Sequence, residues 1–222
     1  MKSFFRLFSL SFGEIFPVPE GSSPVTRSER LRNLIICAML IGLYTVIESL
    51  MIETPVGRVN FAFIAIAAIG MLFGPSVGLI CGGMCDILGH LVHPDGPFLM
   101  LYTLIGALQG LLYGLVLYRR WGNIFDSSRK LRLFGMDVPQ MAVRIVAARL
   151  IDVLIINMMI NTAANIHYGF IPAQSVSAII AGRVVKNLLE LVADLPLILT
   201  LLPAVLLAYT RSAGSAAPTG NR

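Results

Sequence analysis

The chain has 222 residues, of which 56% are hydrophobic and only 13% are charged, and its formal net charge is +5. Soluble domains carry about 25% charged residues. A chain with half that density and a mean hydropathy of +0.81 could not cover its surface in water. These values exclude a soluble globular domain and a disordered or fibrous chain. Since one transmembrane helix needs about 17–25 mostly apolar residues, we expect a polytopic membrane protein of about six helices.

Two tails flank the predicted membrane domain at residues 31–210. Residues 1–30 are expected to form a cytoplasmic N-terminal tail, in which Pro17–Ser28 has the Pro, Ser and Gly content of a linker. Glu14 interrupts the apolar start of the chain, and no small-residue cleavage site follows, so a cleaved signal peptide is not expected. Residues 211–222 are predicted to be a disordered C-terminal tail.

Six apolar segments predict an all-α bundle of six transmembrane helices. A tight turn, Gly74–Ser76, separates the second from the third. Pro196 and Pro203 are expected to bend or interrupt the sixth. The segments cover residues 34–52, 60–73, 77–92, 98–118, 141–166 and 177–209.

Lysine and arginine predict the orientation of this bundle. They concentrate in both tails and in the connection between the fourth and fifth segments, whereas the other side offers only Arg58. By the positive-inside rule, both termini are cytoplasmic. The loops Glu53–Val59, His93–Pro97 and His167–Ser175 then lie outside, where they can cap an outward-facing ligand cavity. The basic residues form no patch interleaved with aromatic residues, so the expected partner is the lipid bilayer and not a nucleic acid.

Polar residues on the last two segments are the first binding candidates. Arg183 and Asn187 are four residues apart and share a helix face. An arginine beside an amide suits a planar anionic ligand, although an arginine near a helix end can also snorkel to lipid headgroups. Asn157 and Asn161 repeat the spacing on the fifth segment, followed by Tyr168. These side chains line a polar cavity or form hydrogen bonds between helices.

Other ionisable residues inside the segments have less specific interpretations. Asp86 and His90, also four residues apart, indicate a proton relay or an internal polar clamp. Arg144 and Arg149 are predicted to be anchors and topology signals on the cytoplasmic side. Asp152 is expected to pair with Arg149, three positions before it. Glu190 and Asp194 are expected to pair locally.

Small residues predict close helix packing. Ala38 and Gly42 form a small-xxx-small pattern on the first segment. Gly82 and Gly83 on the third segment, and a glycine ladder at 106, 110 and 114 on the fourth, favour a tight internal contact. The three cysteines lie in apolar runs without metal-ligand spacing, so we expect buried free thiols and neither a metal nor another cofactor.

Absent motifs narrow the function. The chain has no phosphate-binding glycine-rich loop and no hydrolase signature of the His-Glu-x-x-His or Gly-x-Ser-x-Gly type. Its two halves show no clear repeat of the kind that many secondary transporters carry. The absence of these motifs is consistent with a non-enzymatic binding subunit whose transport is driven by another protein.

Six stretches, in this order, are the markers of a known family: Met71–Pro75, Gly82–Gly89, Pro94–Phe98, Asn161–Thr162, Tyr168–Gly169 and Arg183–Asn187. Through them the chain resembles the substrate-binding membrane subunits, or S components, of energy-coupling factor (ECF) vitamin transporters, most closely the folate family. The similarity covers about residues 33–209.

The resemblance implies a protein of the bacterial cytoplasmic membrane that binds a vitamin from outside without chemistry of its own. It implies docking on a transmembrane coupling subunit with two cytoplasmic ATPases, which Ala38 and Gly42 would face. Arg183 and Asn187 match a Phe-x-Arg-x-x-x-Asn motif of folate binders, with Ala181 in the Phe position. The ligand expected from it is folate or a related pterin, and the expected binding residues are Arg183, Asn187, Asn161, Tyr168, Asn157 and Arg58.

Three alternatives stay open. Within the family, the ligand could instead be pantothenate or the hydroxymethylpyrimidine precursor of thiamine. An intramembrane enzyme would require Asp86, His90 and Asp152 to converge on one site. A structural or assembly protein would use its polar residues only for packing.

Overall fold

A computed structural model describes residues 27–50, 52–54, 57–94, 96–118, 130–133, 136–170 and 176–214. Most of the predicted N-terminal tail and residues 215–222 of the predicted C-terminal tail lie outside the described residues. Residues 119–129, in the connection between the fourth and fifth apolar segments, also lie outside them.

All six apolar segments form helices. The first four are α1 (Arg27–Ser49), α2 (Phe63–Phe73), α3 (Pro75–Val92) and α4 (Met100–Leu117). The fifth segment is one continuous helix of three parts: α5 (Gln140–Ile151), a π-helical segment (Asp152–Asn161) and α6 (Thr162–His167). The sixth is α7 (Val176–Gly214), which stays helical through Pro196 and Pro203 and is therefore not interrupted by them.

Two short antiparallel hairpins interrupt the helical pattern. The first pairs β1 (Ile52–Thr54) with β2 (Gly57–Val59) and places Glu53 opposite Arg58. The second pairs β3 (Lys130–Leu133) with β4 (Met136–Pro139). The sequence analysis predicts no strand at either place, so the all-α expectation holds for the bundle and not for these connections.

Among the described residues, four helices are long and apolar enough to cross a membrane: α1, α3, α4 and residues 181–212 of α7. By contrast, α2 has 11 residues, which rise about 16 Å, roughly half the hydrocarbon thickness of a bilayer. Ten of the residues of α2 are buried. A helix that is apolar on every face belongs inside a bundle, and α2 packs against α1, α3, α4 and α7.

Glycine allows α3 and α4 to approach at backbone distance. A Cβ atom at Gly82 or Gly110 would overlap the carbonyl oxygen of Gly106 or Gly78, respectively, on the facing helix. A Cβ atom at Gly70 of α2 would lie 2.6 Å from the backbone nitrogen of Gly114. The predicted close packing of the third and fourth segments is confirmed, and it includes α2.

One face of α1 packs against α2 and α3. Cys37 on this face lies with its Sγ atom 3.2 Å from that of Cys81. Both, together with Cys85, are buried free thiols, as predicted. Ala38 and Gly42 lie on the exposed face of α1.

A buried ionic network, made of Arg149, Asp152, Asp194, Tyr113 and Gln109, joins three of the helices. Arg149 donates from Nη1 to Asp152 at 2.5 Å and from Nε to Asp194 of α7 at 3.1 Å, and its Nη2 also pairs with Asp194. Tyr113 and Gln109 of α4 donate to the Asp152 carboxylate at 3.0 and 3.1 Å. The predicted pairing of Arg149 with Asp152 is confirmed.

The prediction that Arg149 is an anchor at the cytoplasmic side was wrong. Its side chain is only 3% exposed, and its guanidinium lies 3.6 Å from the ring centroid of Phe63 of α2. The expectation of local pairing for Asp194 was also wrong, because its partner is Arg149, 45 positions earlier. Two buried carboxylates, Asp152 on the same helix and Asp194 on α7, hold this guanidinium inside the bundle.

We expect Gly110→Ala to lower the free energy of unfolding by about 1–3 kcal/mol, the range for overpacking, because the added methyl group meets the Gly78 backbone. The matched control is Gly42→Ala, where nothing lies within 4 Å of the added atom. The measurement is the unfolding midpoint of the purified protein in detergent. Equal stability of the two variants would contradict the backbone contact.

We expect Arg149→Met to lower the free energy of unfolding by about 3–5 kcal/mol, because it leaves two buried carboxylates without their cation. Arg144→Met is the control, since Arg144 is half-buried and its described hydrogen bond is a long one, 3.4 Å, to the Val116 carbonyl. The same unfolding measurement compares them. A loss for Arg149→Met no larger than for Arg144→Met would show that the network is not stabilising.

Candidate functional site

A cavity of about 660 Å³ opens inside one end of the bundle. This is the end where α1, α3 and α6 finish and where α4 and α7 begin. Each described helix contributes to its wall, together with residues 96–99 between α3 and α4 and Phe170 after α6. Small-molecule sites usually have about 300–1,000 Å³, so the cavity has the size of a site for a vitamin-sized molecule.

Four of the six predicted binding residues line this cavity: Asn157, Asn161, Arg183 and Asn187. Tyr168 lies behind the wall, where its ring packs at centroid distances of 6.0 Å from Tyr102 and 6.2 Å from Phe170, both of which do line it. Arg58 lies on β2, and its side chain is outside the described part of the chain.

Arg183 offers unused hydrogen-bonding capacity to the cavity. It projects from α7 and donates from Nη1 to the hydroxyl of Thr162 at 3.1 Å. Its Nε is buried and has no hydrogen-bond partner among the described residues. Buried polar groups are normally hydrogen-bonded, and a guanidinium binds carboxylates in a bidentate fashion. This cation is therefore suited to an acidic group of a ligand.

The asparagine side chains of the fifth helix line the cavity and also form hydrogen bonds that hold the helices together. Asn165 donates from Nδ2 to the side chain and the backbone carbonyl of Asn161, at 2.8 and 2.6 Å. Tyr102 of α4 donates to Asn165 at 3.2 Å. This chain of bonds orients Asn161 in the wall, and it also ties α6 to α4.

Carboxyl groups line the wall formed by α1 and α3. Glu48 accepts a hydrogen bond from Tyr44 at 3.3 Å, and its carboxyl group fills the space beside Gly89 that a larger residue would occupy. Asp86 accepts a hydrogen bond from Thr103 of α4 at 2.6 Å. Sequence spacing brought Asp86 and His90 together on one helix face, but it gave no sign of Thr103, which lies on another helix.

The residues required for an intramembrane enzyme do not converge. Asp86 and His90 line the cavity, whereas Asp152 is fully buried in the ionic network around Arg149. In the described part of the chain, no group of three or more His, Cys, Asp or Glu side chains could hold a metal ion.

Sequence reasoning missed two cavity residues, Tyr102 and Gln109. Both line the wall, but each lies in the apolar fourth segment without a charged or amide side chain three or four positions away. Lys186 also lines the wall, where Glu190, one helical turn further along α7, pairs with it at 3.0 Å. The spacing of Lys186 from Arg183, three positions, indicates that both lie on the same face.

Comparisons with known proteins identify the family. A family model for the substrate-specific component of ECF transporters matches residues 32–202. The folate transporter FolT of Clostridium novyi is 33% identical over 93 residues, which is 41% of this chain and 54% of that protein. The folate transporter FolT of Leuconostoc mesenteroides is 25% identical over 158 residues, 71% of this chain and 77% of that protein.

A solved structure shows the same fold. The crystal structure of FolT bound with folic acid superposes with a TM-score of 0.59 at 20% identity, covering 77% of this chain and 92% of that one. The match to the Clostridium novyi protein spans only about half of that relative's length. The family model, however, covers most of the chain, from residue 32 in α1 to residue 202 in α7. The chain is a membrane protein and belongs to the family of substrate-specific components of ECF transporters.

Proposed function

We propose that this protein is the high-affinity S component of an ECF-type importer for folate or a related pterin. The observation that carries the proposal is a vitamin-sized cavity in which Arg183 presents a buried guanidinium N–H without a described partner. Folate has carboxylates for such a cation and planar rings for an aromatic wall. The related proteins named above, described as folate transporters, support the same ligand.

The proposal gives each predicted binding residue a role. Arg183 takes a carboxylate of the ligand, and Asn187, one turn further along α7, supplies an amide beside it. Asn157 and Asn161 bond to polar edges of the ligand from the fifth helix. Tyr168 supports the aromatic rings of Tyr102 and Phe170 from behind. Arg58, on the first hairpin, adds positive charge near the entrance.

We also propose an orientation of the protein in the membrane. All six helices, with the short α2 counted, make up the membrane domain at 31–210, and both tails are cytoplasmic. Basic residues at the start of α1 (Arg27, Arg30 and Arg32) and Arg211 at the end of α7 support this orientation. The cavity, at the opposite end of α1, then opens to the outside of the bacterial cytoplasmic membrane.

We further propose that α1 docks on the ECF coupling subunit, which carries the two ATPases. Ala38 and Gly42 lie one helical turn apart on the exposed face of α1, and an added Cβ at Gly42 has no atom within 4 Å. Small residues in lipid allow another helix to approach closely. The exposed small-residue face of α1 therefore offers a helix-docking surface.

We expect the purified wild type to bind folate, and Arg183→Ala to weaken this binding about 10- to 150-fold, the value of one or two hydrogen bonds to a charged group. Arg211→Ala, an exposed arginine near the other end of α7, should leave affinity unchanged. Isothermal titration calorimetry measures both. Pantothenate and hydroxymethylpyrimidine are titrated alongside, and tight binding of either one in place of folate would overturn the assignment.

We expect Ala38→Leu and Gly42→Leu to abolish folate uptake by cells that carry the coupling module, while binding to the purified protein stays intact. Ala193→Leu, on the exposed surface of α7, is the matched control and should leave uptake unchanged. Loss of binding in the α1 variants would show that this face serves the fold or the cavity. Normal uptake would show that the coupling subunit docks elsewhere.

A further inference from the structure

Charged residues line the cavity on two sides. Glu48 and Asp86 come from α1 and α3, which pack against each other. Arg183, Lys186 and Glu190 come from α7, which packs against α2, α5 and the π-helical segment, and Arg149 comes from α5. Arg149 and Lys186 already form described salt bridges, Arg149 in the ionic network and Lys186 with Glu190 at 3.0 Å. Arg183 on one side and Asp86 on the other form no described salt bridge, and together they suit a ligand that has both an acidic end and a donor-rich end.

Asp86 is held in place by a hydrogen bond and forms no described salt bridge. Thr103 donates its hydroxyl to Oδ2 at 2.6 Å, which orients the carboxyl group. Among the described side chains, no lysine, arginine or histidine forms a salt bridge with Asp86. A carboxylate removed from water needs N–H or O–H partners to offset its desolvation, and an ionised carboxylate has about four acceptor positions. Thr103 fills one of them.

The surroundings of Asp86 favour a flat partner. His90, one helical turn further along α3, packs against Phe98 at a ring-centroid distance of 5.5 Å, and both line the cavity. Aromatic faces stack on planar rings. The pair therefore offers an aromatic surface to a planar heterocycle in the same cavity that Asp86 lines.

We propose that Asp86, oriented by Thr103, determines specificity by accepting two parallel hydrogen bonds from the donor edge of a 2-amino-4-oxopyrimidine ring. This inference rests on the proposed function, in which Arg183 binds the carboxylate end of the same ligand. The ring N–H and the amino N–H on that edge are spaced like two donors of a guanidinium, which a carboxylate binds side by side. Asp86 is then the residue that distinguishes a pterin from a ring lacking the amino group.

A different role for Asp86 would be a clamp between α3 and α4 through Thr103. The two roles differ in their dependence on the ligand. Asparagine at position 86 can still accept the Thr103 hydrogen bond, but it replaces one acceptor oxygen by a donor. If Asp86 only clamps α3 to α4, its substitution would lower the affinity for every ligand equally. If Asp86 recognises the ligand, the loss of affinity would be larger for ligands that carry the amino group.

The experiment measures equilibrium binding of folate, 2-desamino-2-methylfolate and pteroate to the full-length protein by calorimetry. We expect wild type to bind the desamino analogue about 10- to 150-fold more weakly than folate, the value of hydrogen bonds to a charged group. In Asp86→Asn, folate binding should weaken by a similar factor, and the ratio of the two affinities should approach one. The ratio of folate to pteroate, which reports on the carboxylate end, should stay as in wild type.

The control is Glu29→Gln, which removes an exposed carboxylate outside the cavity and should leave both ratios unchanged. Wild type that binds folate and the desamino analogue equally would overturn the inference, and this test needs no variant to fold. Equal weakening of both ligands in Asp86→Asn would overturn it in favour of the clamp. Wild type that binds no folate would overturn the proposed function and the inference with it.

Discussion

The Arg149 guanidinium is the point on which the interior of the bundle depends. A charge inside the membrane region is costly unless oppositely charged or polar groups surround it. Here Asp152 and Asp194 surround it, and the Phe63 ring covers its face. Since these partners come from α2, the fifth helix and α7, the electrostatic requirement of one side chain aligns three elements, and α2 lies far from the other two in sequence. Arg149 also lines the cavity, so the same contacts form part of the binding site.

Direct contact between backbones holds α3 and α4 together, whereas the contacts around Arg149 align α2, the fifth helix and α7. With glycines at 78, 82, 106 and 110, nothing larger than hydrogen separates the two backbones. This close approach allows the short hydroxyl of Thr103 to reach Asp86 at 2.6 Å. Gly89 likewise leaves room for the Glu48 carboxyl group of α1. The small residues thus place the acidic wall of the cavity, although they carry no chemistry themselves.

Much of this arrangement was predictable from the sequence, because it depends on local pattern. The apolar runs located all six helices, and helical spacing placed Arg183 and Asn187 on the face that lines the cavity. Long-range contacts were not predictable in this way. Arg149 near a basic connection has the sequence signature of a topology signal, and only its partner 45 positions away identifies it as buried. The glycine spacing predicted close packing of the third and fourth segments, but it does not indicate that Thr103 of α4 faces Asp86 of α3.

The π-helical segment has a consequence for how this chain tolerates changes in length. It starts at Asp152, in the ionic network, and ends at Asn161, in the cavity wall. Its backbone bonds span one residue more than those of an α-helix, and a one-residue change of register rotates an α-helix by about 100°. Losing a single residue here would turn Asn165 away from Tyr102 without moving Arg149 from Asp152. In related chains, a deletion in this stretch would thus reshape the ligand-facing wall and the packing around Ile156 and Ala164, while the pair of Arg149 with Asp152 stays in place.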